Sequence, residues 1–299
     1  MIEARREGTN VWLEKRAAAY PIKAVGEFRY NVLDDEHAVG RAMYQELVAY
    51  CEQKDDDVVI VLLGGRGAQA MYRIISEKAL DGSIDEMLGR LHVFTQDALG
   101  PMRMNNGLSF VRDFERLLGD AFFRKVKSFT SMQTDTGDLE GGLLSYIEKL
   151  ESLGGIDLFF LGLGPEANGT SHLCYIKPNA GARETDVAGL IPISESILEH
   201  HITKFKVGGS VISPSDEAEC RRASQILTLG PAAILGARKI VQSIVDASTA
   251  PAKRESFARL LKTEISLDPA ERAAQLDENP GLWIRLHPDV TSFVLPDLL

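Results

Sequence analysis

The chain has 299 residues, of which 33 are Lys or Arg and 43 are Asp or Glu, so its formal net charge is −10. With 44% hydrophobic and 25% charged residues, the composition is that of an ordinary globular protein, which excludes a disordered chain and a collagen-like or disulfide-dense scaffold. The acidic balance argues against a nucleic-acid duplex as the main partner, because duplex affinity depends on clustered Lys and Arg, but it leaves open a small phosphorylated substrate in a locally basic pocket.

The cysteines and the first residues indicate the compartment. Cys51, Cys174 and Cys220 are odd in number and form no C-x-x-C pair, so neither a disulfide framework nor a zinc knuckle is predicted. The start of the chain lacks the apolar core of a secretory signal, and no apolar run is long enough to span a membrane. We therefore expect a cytoplasmic protein with no membrane partner.

Strand-like and helix-like segments alternate along the chain. Residues 26–33 indicate a short strand, and residues 36–53 place apolar side chains at helical spacing. The run VVIVLL at 58–63 is typical of a parallel strand covered on both faces. Later strands are predicted at 91–96, 156–164, 223–230, 240–246 and 291–296, and helices at 68–80, 107–126, 139–153, 231–239 and near 252–262. Residues 178–223, rich in Gly, Pro and Ser, are predicted to be irregular.

Repeated strand–helix units predict an α/β fold, a single-domain Rossmann-like open, mostly parallel sheet with helices on both faces. No repeat, low-complexity tract or linker divides the chain, so residues 1–299 are expected to form one domain. In open α/β sheets, ligands bind beyond the carboxyl ends of the strands. The residues that follow each apolar run are therefore the candidate site residues.

The first candidate is the loop after the strand at 58–63, which reads Gly64, Gly65, Arg66 and Gly67 before a helix. Free N–H groups at a helix start favour an anion, glycines let the backbone approach it, and an arginine adds a donor fork suited to phosphate. The loop matches neither G-x-G-x-x-G nor a Walker A motif, so no nucleotide is specifically implied. The alternative is a tight strand–helix turn that needs glycine for its backbone angles.

Three further loops carry ionisable candidates. Asp97 follows the second run as a general base or, alternatively, as a turn cap. The loop after the third run contains Glu166 and His172, a carboxylate and an imidazole that share one glycine-rich segment. Lys253 opens the helix after the strand at 240–246, as a second phosphate contact or as a solvated surface lysine.

Other histidines are weaker candidates. His200 and His201 have no acidic partner at metal-ligand spacing, so no metal site is predicted, and a structural role is favoured for His287. The Gly-x-Ser-x-Gly elbow of many serine hydrolases is missing from the sequence.

Together these segments resemble the glucosamine-6-phosphate deaminase/isomerase and 6-phosphogluconolactonase family, from about residue 36 to the C-terminus. VLLGGRGAQAMY is similar to the family's phosphate loop, with Gly64 and Gly65 on its glycines and Arg66 and Gly67 where the family has small hydroxyl residues. HVFTQDALG is similar to the segment that carries the deaminase proton-transfer base. The resemblance places Asp97 on that base, while Ala98 replaces an acidic neighbour.

The resemblance extends to IDLFFLGLGPEANGTSH, where His172 falls on the ring-opening histidine. Lys177 occupies the position of the carboxylate that orients this histidine in the family, and a lysine cannot accept a hydrogen bond from imidazole. The longer loop offers Glu166 as a replacement acceptor. Lys253 falls on a phosphate-binding lysine, and LWIRLHPDVTSFVLPD is similar to the family's closing segment.

The resemblance implies one sugar-phosphate isomerase/deaminase-like domain, with residues 1–35 as an N-terminal extension, and no cofactor or metal. It implies a phosphorylated sugar as substrate and leaves a homo-oligomer open. The leading hypothesis is a sugar-phosphate deaminase or aldose–ketose isomerase, with Asp97 and His172 as its acid–base groups. The alternatives are a lactonase, in which His172 activates water, and a catalytically degraded sugar-phosphate-binding protein.

Overall fold

The computed structural model describes residues 2–15 and 28–299. Its strands are β1 (Ile2–Glu7), β2 (Asn10–Lys15), β3 (Asn31–Val32), β4 (Val58–Leu62), β5 (Leu91–Thr95), β6 (Asp97–Gly100), β7 (Ser128–Thr130), β8 (Leu158–Leu161), β9 (Gly164–Pro165), β10 (Ser171–His172), β11 (Asp186–Pro192), β12 (Gln225–Leu229), β13 (Lys239–Ile244) and β14 (Val290–Val294). Its helices are α1 (Glu36–Gln53), α2 (Gln69–Asp81), α3 (Asp85–Leu88), α4 (Phe110–Lys125), α5 (Leu139–Ser152), α6 (Glu195–Val207), α7 (Pro214–Cys220), α8 (Pro231–Gly236), α9 (Ala252–Lys262) and α10 (Pro269–Glu278).

A parallel sheet of seven strands forms the centre of the molecule, in the order β3-β14-β13-β8-β4-β5-β7. Every residue of β4, β5 and β8 is buried, as expected for strands covered by helices on both faces. From β4 the chain proceeds first to β5 and β7 on one side and then to β8, β13 and β14 on the other. This reversal between β4 and β8 opens a crevice at the carboxyl ends of the two strands. The predicted fold class is confirmed.

A second sheet, which the sequence pattern did not indicate, has five antiparallel strands in the order β1-β2-β11-β12-β6. The chain passes from the parallel sheet into it at Gln96, between β5 and β6. The β1–β2 hairpin is anchored by Trp12, which is fully buried and donates its indole N–H to the carbonyl of Ala180 at 3.0 Å. The segment at 223–230 does form a strand, β12, but in this antiparallel sheet.

The prediction that residues 178–223 are irregular is wrong, because they form β11, α6 and α7. Both helices have side-chain N-caps, Ser194 for α6 and Ser213 for α7. The apolar period of α6 is interrupted by His201 on its buried face, so the amphipathic signal is weak. The strand predicted at 26–33 is reduced to Asn31–Val32, and residues 26–27 lie outside the described residues.

Over residues 2–15 and 28–299, none of the helices combines the length and the apolar character that crossing a membrane requires.

Candidate active site

A polar pocket lies at the carboxyl ends of β4, β5, β8 and β13. It is lined by residues of the loops that follow these strands and by side chains of α6 and α9: Leu63, Gly64, Arg66, Gly67, Gln96, Asp97, Gly162, Leu163, Gly164, His172, Cys174, Tyr175, His200, Lys204, Ser243, Asp246 and Lys253. The structure thus brings Gly64, Arg66, Gly67, Asp97, His172 and Lys253 to one pocket. Gly65 lies beside it against Lys204, and Glu166 lies behind His172.

The glycine loop after β4 is tightly confined. Gly65 has φ +79°, a left-handed angle that favours glycine, and it precedes the short helical turn Arg66–Ala68. A Cβ on Gly64 would come within 2.1 Å of Cε1 of Phe110. The Arg66 guanidinium is already held, by Glu36 at 2.5 Å and by the hydroxyl of Thr249 at 3.2 Å. The loop therefore offers its backbone N–H groups to an anion, whereas two of the three guanidinium nitrogens of Arg66 already have partners.

Lys253 is buried, with 6% of its surface exposed, and its ammonium group donates to Asp246 at 2.5 Å. A solvated surface lysine is therefore the wrong description of this residue. Asp246 also lines the pocket, so the positive charge of Lys253 is accompanied there by the negative charge of its partner.

Lys204 of α6 is the cation that sequence analysis missed. Its Nζ lies 4.8 Å from the ring centre of Phe110 and 4.5 Å from that of Tyr175, an arrangement typical of cation–π contacts. Within residues 2–15 and 28–299 it has neither a hydrogen-bond acceptor nor a carboxylate in ion-pair contact. Burial lowers the pKa of Lys204 to about 8, although the carboxyl of Asp97 opposes the shift. Its three donors are available to an anion in the pocket.

Asp97 begins β6, at the junction of the two sheets, and is 3% exposed. Burial raises the pKa of its carboxyl group to about 7, and the positive charge of Lys204 only partly offsets this. At neutral pH both protonation states of Asp97 are therefore populated. Such a group can accept and return a proton at low cost.

His172 and Glu166 form a hydrogen-bonded pair, with 2.7 Å between Nδ1 and Oε1. Although burial raises the pKa of Glu166, hydrogen bonds from His172 and Ser196 hold it below its usual value, so the group is a carboxylate. A carboxylate can only accept, so Nδ1 of His172 carries the proton and Nε2 has the lone pair. Nε2 lies over Gly164, where a Cβ would come within 1.7 Å of it.

Burial lowers the pKa of His172, and Glu166 does not fully compensate for it. A carboxylate bonded to an imidazole favours the protonated ring. Glu166 acts in that direction, but burial and the positive charges of Lys204 and Lys253 outweigh it. The free protein therefore presents a neutral imidazole with a basic nitrogen. Lys177 does not act on the ring as an acceptor, because its ammonium donates to the carbonyl of Pro192 at 2.7 Å.

Two of the remaining histidines are structural. His201 is bonded at both nitrogens, to the Tyr175 hydroxyl and to the Leu108 carbonyl. His287 is bonded to the Ala237 carbonyl and to the amide of Asp289, as its predicted structural role requires. Within the described ranges, no group of His, Cys, Asp and Glu has an arrangement that would hold a metal ion.

The comparisons with known proteins agree with this α/β class. No family model matches the chain. A curated relative, the glucosamine-6-phosphate deaminase of Halothermothrix orenii, is 25% identical over 242 residues, which cover 80% of this chain and 85% of the relative.

Two solved structures have the same fold over most of the chain. A monomeric glucosamine-6-phosphate deaminase superposes with a TM-score of 0.69 at 17% identity, covering 91% of this chain and 98% of its own. A 6-phosphogluconolactonase from Trypanosoma brucei superposes with a TM-score of 0.63 at 17% identity, with the same two coverages of 91% and 98%. The resemblance seen in the motifs is thus confirmed in sequence and in fold, and these relatives are enzymes.

Proposed function

We propose that this protein is an enzyme acting on a phosphorylated sugar, as a deaminase or aldose–ketose isomerase similar to glucosamine-6-phosphate deaminase. The observation that carries the proposal is that one pocket combines the buried carboxyl of Asp97, the basic Nε2 of His172 and the ammonium of Lys204. The similarity to the Halothermothrix orenii deaminase supports the same activity.

His172 supplies the first step, opening of the sugar ring. Its neutral Nε2 takes the proton of the anomeric hydroxyl group, and a proton returns to the ring oxygen as the C1–O bond of the ring breaks. Glu166 stabilises the imidazolium formed in between, because its carboxylate holds Nδ1–H at 2.7 Å.

Asp97 supplies the second step. Its carboxylate accepts a proton from one of the carbons C1 and C2 of the open-chain sugar and delivers it to the other. With an amino group on C2, the isomerised imine is hydrolysed, so that glucosamine 6-phosphate and water yield fructose 6-phosphate and ammonia. With a hydroxyl group there, the same transfer interconverts an aldose and a ketose.

The phosphate group binds between Lys204 and the glycine loop after β4, which lie side by side. Lys204 has three free donors. The backbone N–H groups of residues 65–67, at the start of the short helical turn, are further donors for the phosphate. Arg66 and Lys253 add positive charge, each with a carboxylate partner of its own.

One observation favours a lactonase as the second candidate. The Glu166–His172 pair, with a free basic nitrogen, is also an arrangement that activates water to attack a lactone carbonyl, and that reaction has no need of Asp97.

The test is a panel of phosphorylated sugars assayed for ammonia release, aldose–ketose interconversion and 6-phosphogluconolactone hydrolysis, with binding followed by calorimetry. We expect ammonia release or interconversion that is lost in Asp97→Asn. Lactone hydrolysis that survives in Asp97→Asn and is lost in His172→Ala would instead establish the lactonase, and binding without any turnover would establish a sugar-phosphate-binding protein.

A further inference from the structure

Helix α6 presents a polar stripe to the pocket. Ser196, His200 and Lys204 are spaced four residues apart, so they lie on one face of the helix. The hydroxyl of Ser196 donates to Glu166 at 2.9 Å, while His200 and Lys204 line the pocket. Ser196 thus supports the acid–base pair and Lys204 provides the free cation, whereas the middle member has no role in the mechanism above.

His200 differs from its neighbour His201 in what its nitrogens do. Both ring nitrogens of His201 have partners, at 2.8 and 2.7 Å. In the described part of the chain neither nitrogen of His200 makes a hydrogen bond, although the ring lines the pocket. The ring is half-buried and faces the pocket, so the unused donor and acceptor of His200 are accessible to a ligand.

His200 lies near both the acid–base pair and Lys204. Its ring centre is 6.0 Å from that of His172. On α6 it lies one turn, roughly 6 Å along the axis, before Lys204. A ligand that is held by Lys204 and reaches His172 therefore passes close to His200.

The charge state of His200 decides which group it binds. Burial lowers its pKa well below the usual value, and Lys204, Lys253, His172 and His201 lower it further. The other acidic and basic side chains of the pocket are Asp97, Arg66, which is held by Glu36, and Asp246, which is held by Lys253. At neutral pH the ring is therefore uncharged, with one donor and one acceptor. These properties suit a hydroxyl group, which donates and accepts, better than a phosphate.

We propose that His200 is a specificity-determining residue that hydrogen-bonds a hydroxyl group of the sugar chain, between the phosphate at Lys204 and the reacting carbons at His172. This proposal rests on the proposed function, because it assumes a phosphorylated polyhydroxy chain as the ligand. Two side chains of α6 then bind different parts of the ligand, His200 a sugar hydroxyl group and Lys204 the phosphate.

The test compares His200→Ala and His200→Gln with Glu199→Gln, an exposed neighbour on α6 that pairs with Arg221. The kcat and KM for glucosamine 6-phosphate and the inhibition constant of inorganic phosphate are measured for each. Because one neutral hydrogen bond is lost, we expect His200→Ala to raise KM roughly three- to tenfold. Inorganic phosphate should inhibit it within about twofold of wild type, since the phosphate contacts remain. His200→Gln, which keeps a neutral donor and acceptor, should restore most of the affinity, and Glu199→Gln should behave as wild type.

Three results would overturn the assignment of His200 alone: an unchanged KM in His200→Ala, an equal loss of affinity for inorganic phosphate, or a His200→Gln variant no better than His200→Ala. Thermal unfolding of each variant identifies any general loss of structure, and calorimetric titration with 6-phosphogluconate measures affinity independently of turnover. A wild-type protein that neither converts glucosamine 6-phosphate nor binds 6-phosphogluconate would instead overturn the proposed function, and this assignment with it.

Discussion

Asp97 is a buried carboxyl group whose ionised form costs stability. Its pKa is raised from 3.8 to about 7, so between these pH values the folded protein holds a proton that the unfolded chain releases. The free energy of unfolding that the protonated Asp97 contributes is therefore lost as the pH rises from about 4 to about 7. Asp97→Asn removes the charge, and we expect it to be more stable than wild type at pH 8, by about 4 kcal/mol at most, with no difference at pH 4. Urea unfolding at both pH values measures this, and equal stabilities at pH 8 would contradict it.

Asp97 and Lys204 together are expected to set the pH dependence of activity. In the proposed mechanism Asp97 works as a carboxylate, so kcat/KM should rise with pH through about 7. In the same mechanism Lys204 binds the phosphate as an ammonium ion, and its pKa is lowered to about 8, so kcat/KM should fall above that pH. Lys204→Arg keeps the positive charge at all these pH values, and we expect it to retain the acid limb and lose the alkaline limb. An alkaline limb that persists in this variant would assign that limb to another group.

In the proposed mechanism Glu166 acts on the reaction through His172, to which it is hydrogen-bonded. Glu166→Gln keeps the shape but removes the acceptor charge, so the imidazolium formed during ring opening loses its stabilising partner. We expect kcat to fall about 10- to 100-fold with little change in KM, and His172→Ala to cost at least as much. Ser196→Ala, which removes only the exposed contact to Oε2, should lower kcat by less than about threefold. A silent Glu166→Gln beside an inactive His172→Ala would show that the ring needs no oriented partner.

At the scale of elements, the loop after β8 fixes the position of the imidazole. A Cβ on Gly164 would come within 1.7 Å of Nε2 of His172, whereas a Cβ on Gly162 would lie 3.2 Å from the flexible end of Leu63. We therefore expect Gly164→Ala to displace the ring and lower kcat about as much as His172→Ala does, roughly 100-fold. Gly162→Ala in the same loop is the matched control and should retain most of the activity. Full activity in Gly164→Ala would show that the ring can act from another position.

Some helices and strands were predictable from the sequence and others were not. The parallel strands β4, β5 and β8 were predicted because continuous apolar runs mark strands covered on both faces. Helix α6 was missed, since its pocket face carries Ser196, His200 and Lys204 and its buried face includes His201. That missed helix is also why Lys204 was not a candidate. Its Ser194 cap and the glycines at 208–209 were the signals that could have located it.

The contact between Glu166 and His172 shows what a sequence can and cannot define at a site. The replacement of the family carboxylate by Lys177, together with a longer loop, was enough to indicate Glu166 as the new acceptor, and the two groups do meet at 2.7 Å. The net pKa of His172 was not predictable, because it depends on how deeply the ring is buried and on Lys204. Likewise, only the structure shows that Arg66 is held by Glu36.

At the scale of the whole molecule, the second sheet closes one side of the fold, and Trp12 anchors its edge. A Cβ on Gly189 would come within 2.4 Å of the Trp12 ring, so the indole packs directly on β11. Trp12→Ala should therefore cost about 3–5 kcal/mol of unfolding free energy while leaving KM unchanged in the protein that remains folded. Urea unfolding checks this, and a loss below about 1 kcal/mol would contradict an anchoring role.

The charged groups at the amino and carboxyl ends of the parallel strands differ in whether they are already paired. At the amino end of β8, the buried Asp157 accepts hydrogen bonds from Tyr50, Lys54 and Arg238 and from the amide of Val59, so its charge is fully used within the fold. At the carboxyl end, Asp97, His172 and Lys204 keep protons, a lone pair and donors free for a ligand. Asp97, His172 and Lys204 are therefore available to a ligand at the carboxyl end of the strands, whereas the charge of Asp157 at the amino end is paired within the fold.

The transfer of a proton between carbon atoms by Asp97 is the central claim, and isotope incorporation tests it most directly. Glucosamine 6-phosphate is incubated with the protein in D₂O, and the fructose 6-phosphate formed is analysed by NMR for deuterium bound to carbon. We expect wild type to release ammonia and to place deuterium on C1, because the carboxyl of Asp97 exchanges its proton with solvent, and we expect Asp97→Asn to bind the sugar without forming product. Product formed by Asp97→Asn at the wild-type rate and with the same deuterium content would contradict this role of Asp97.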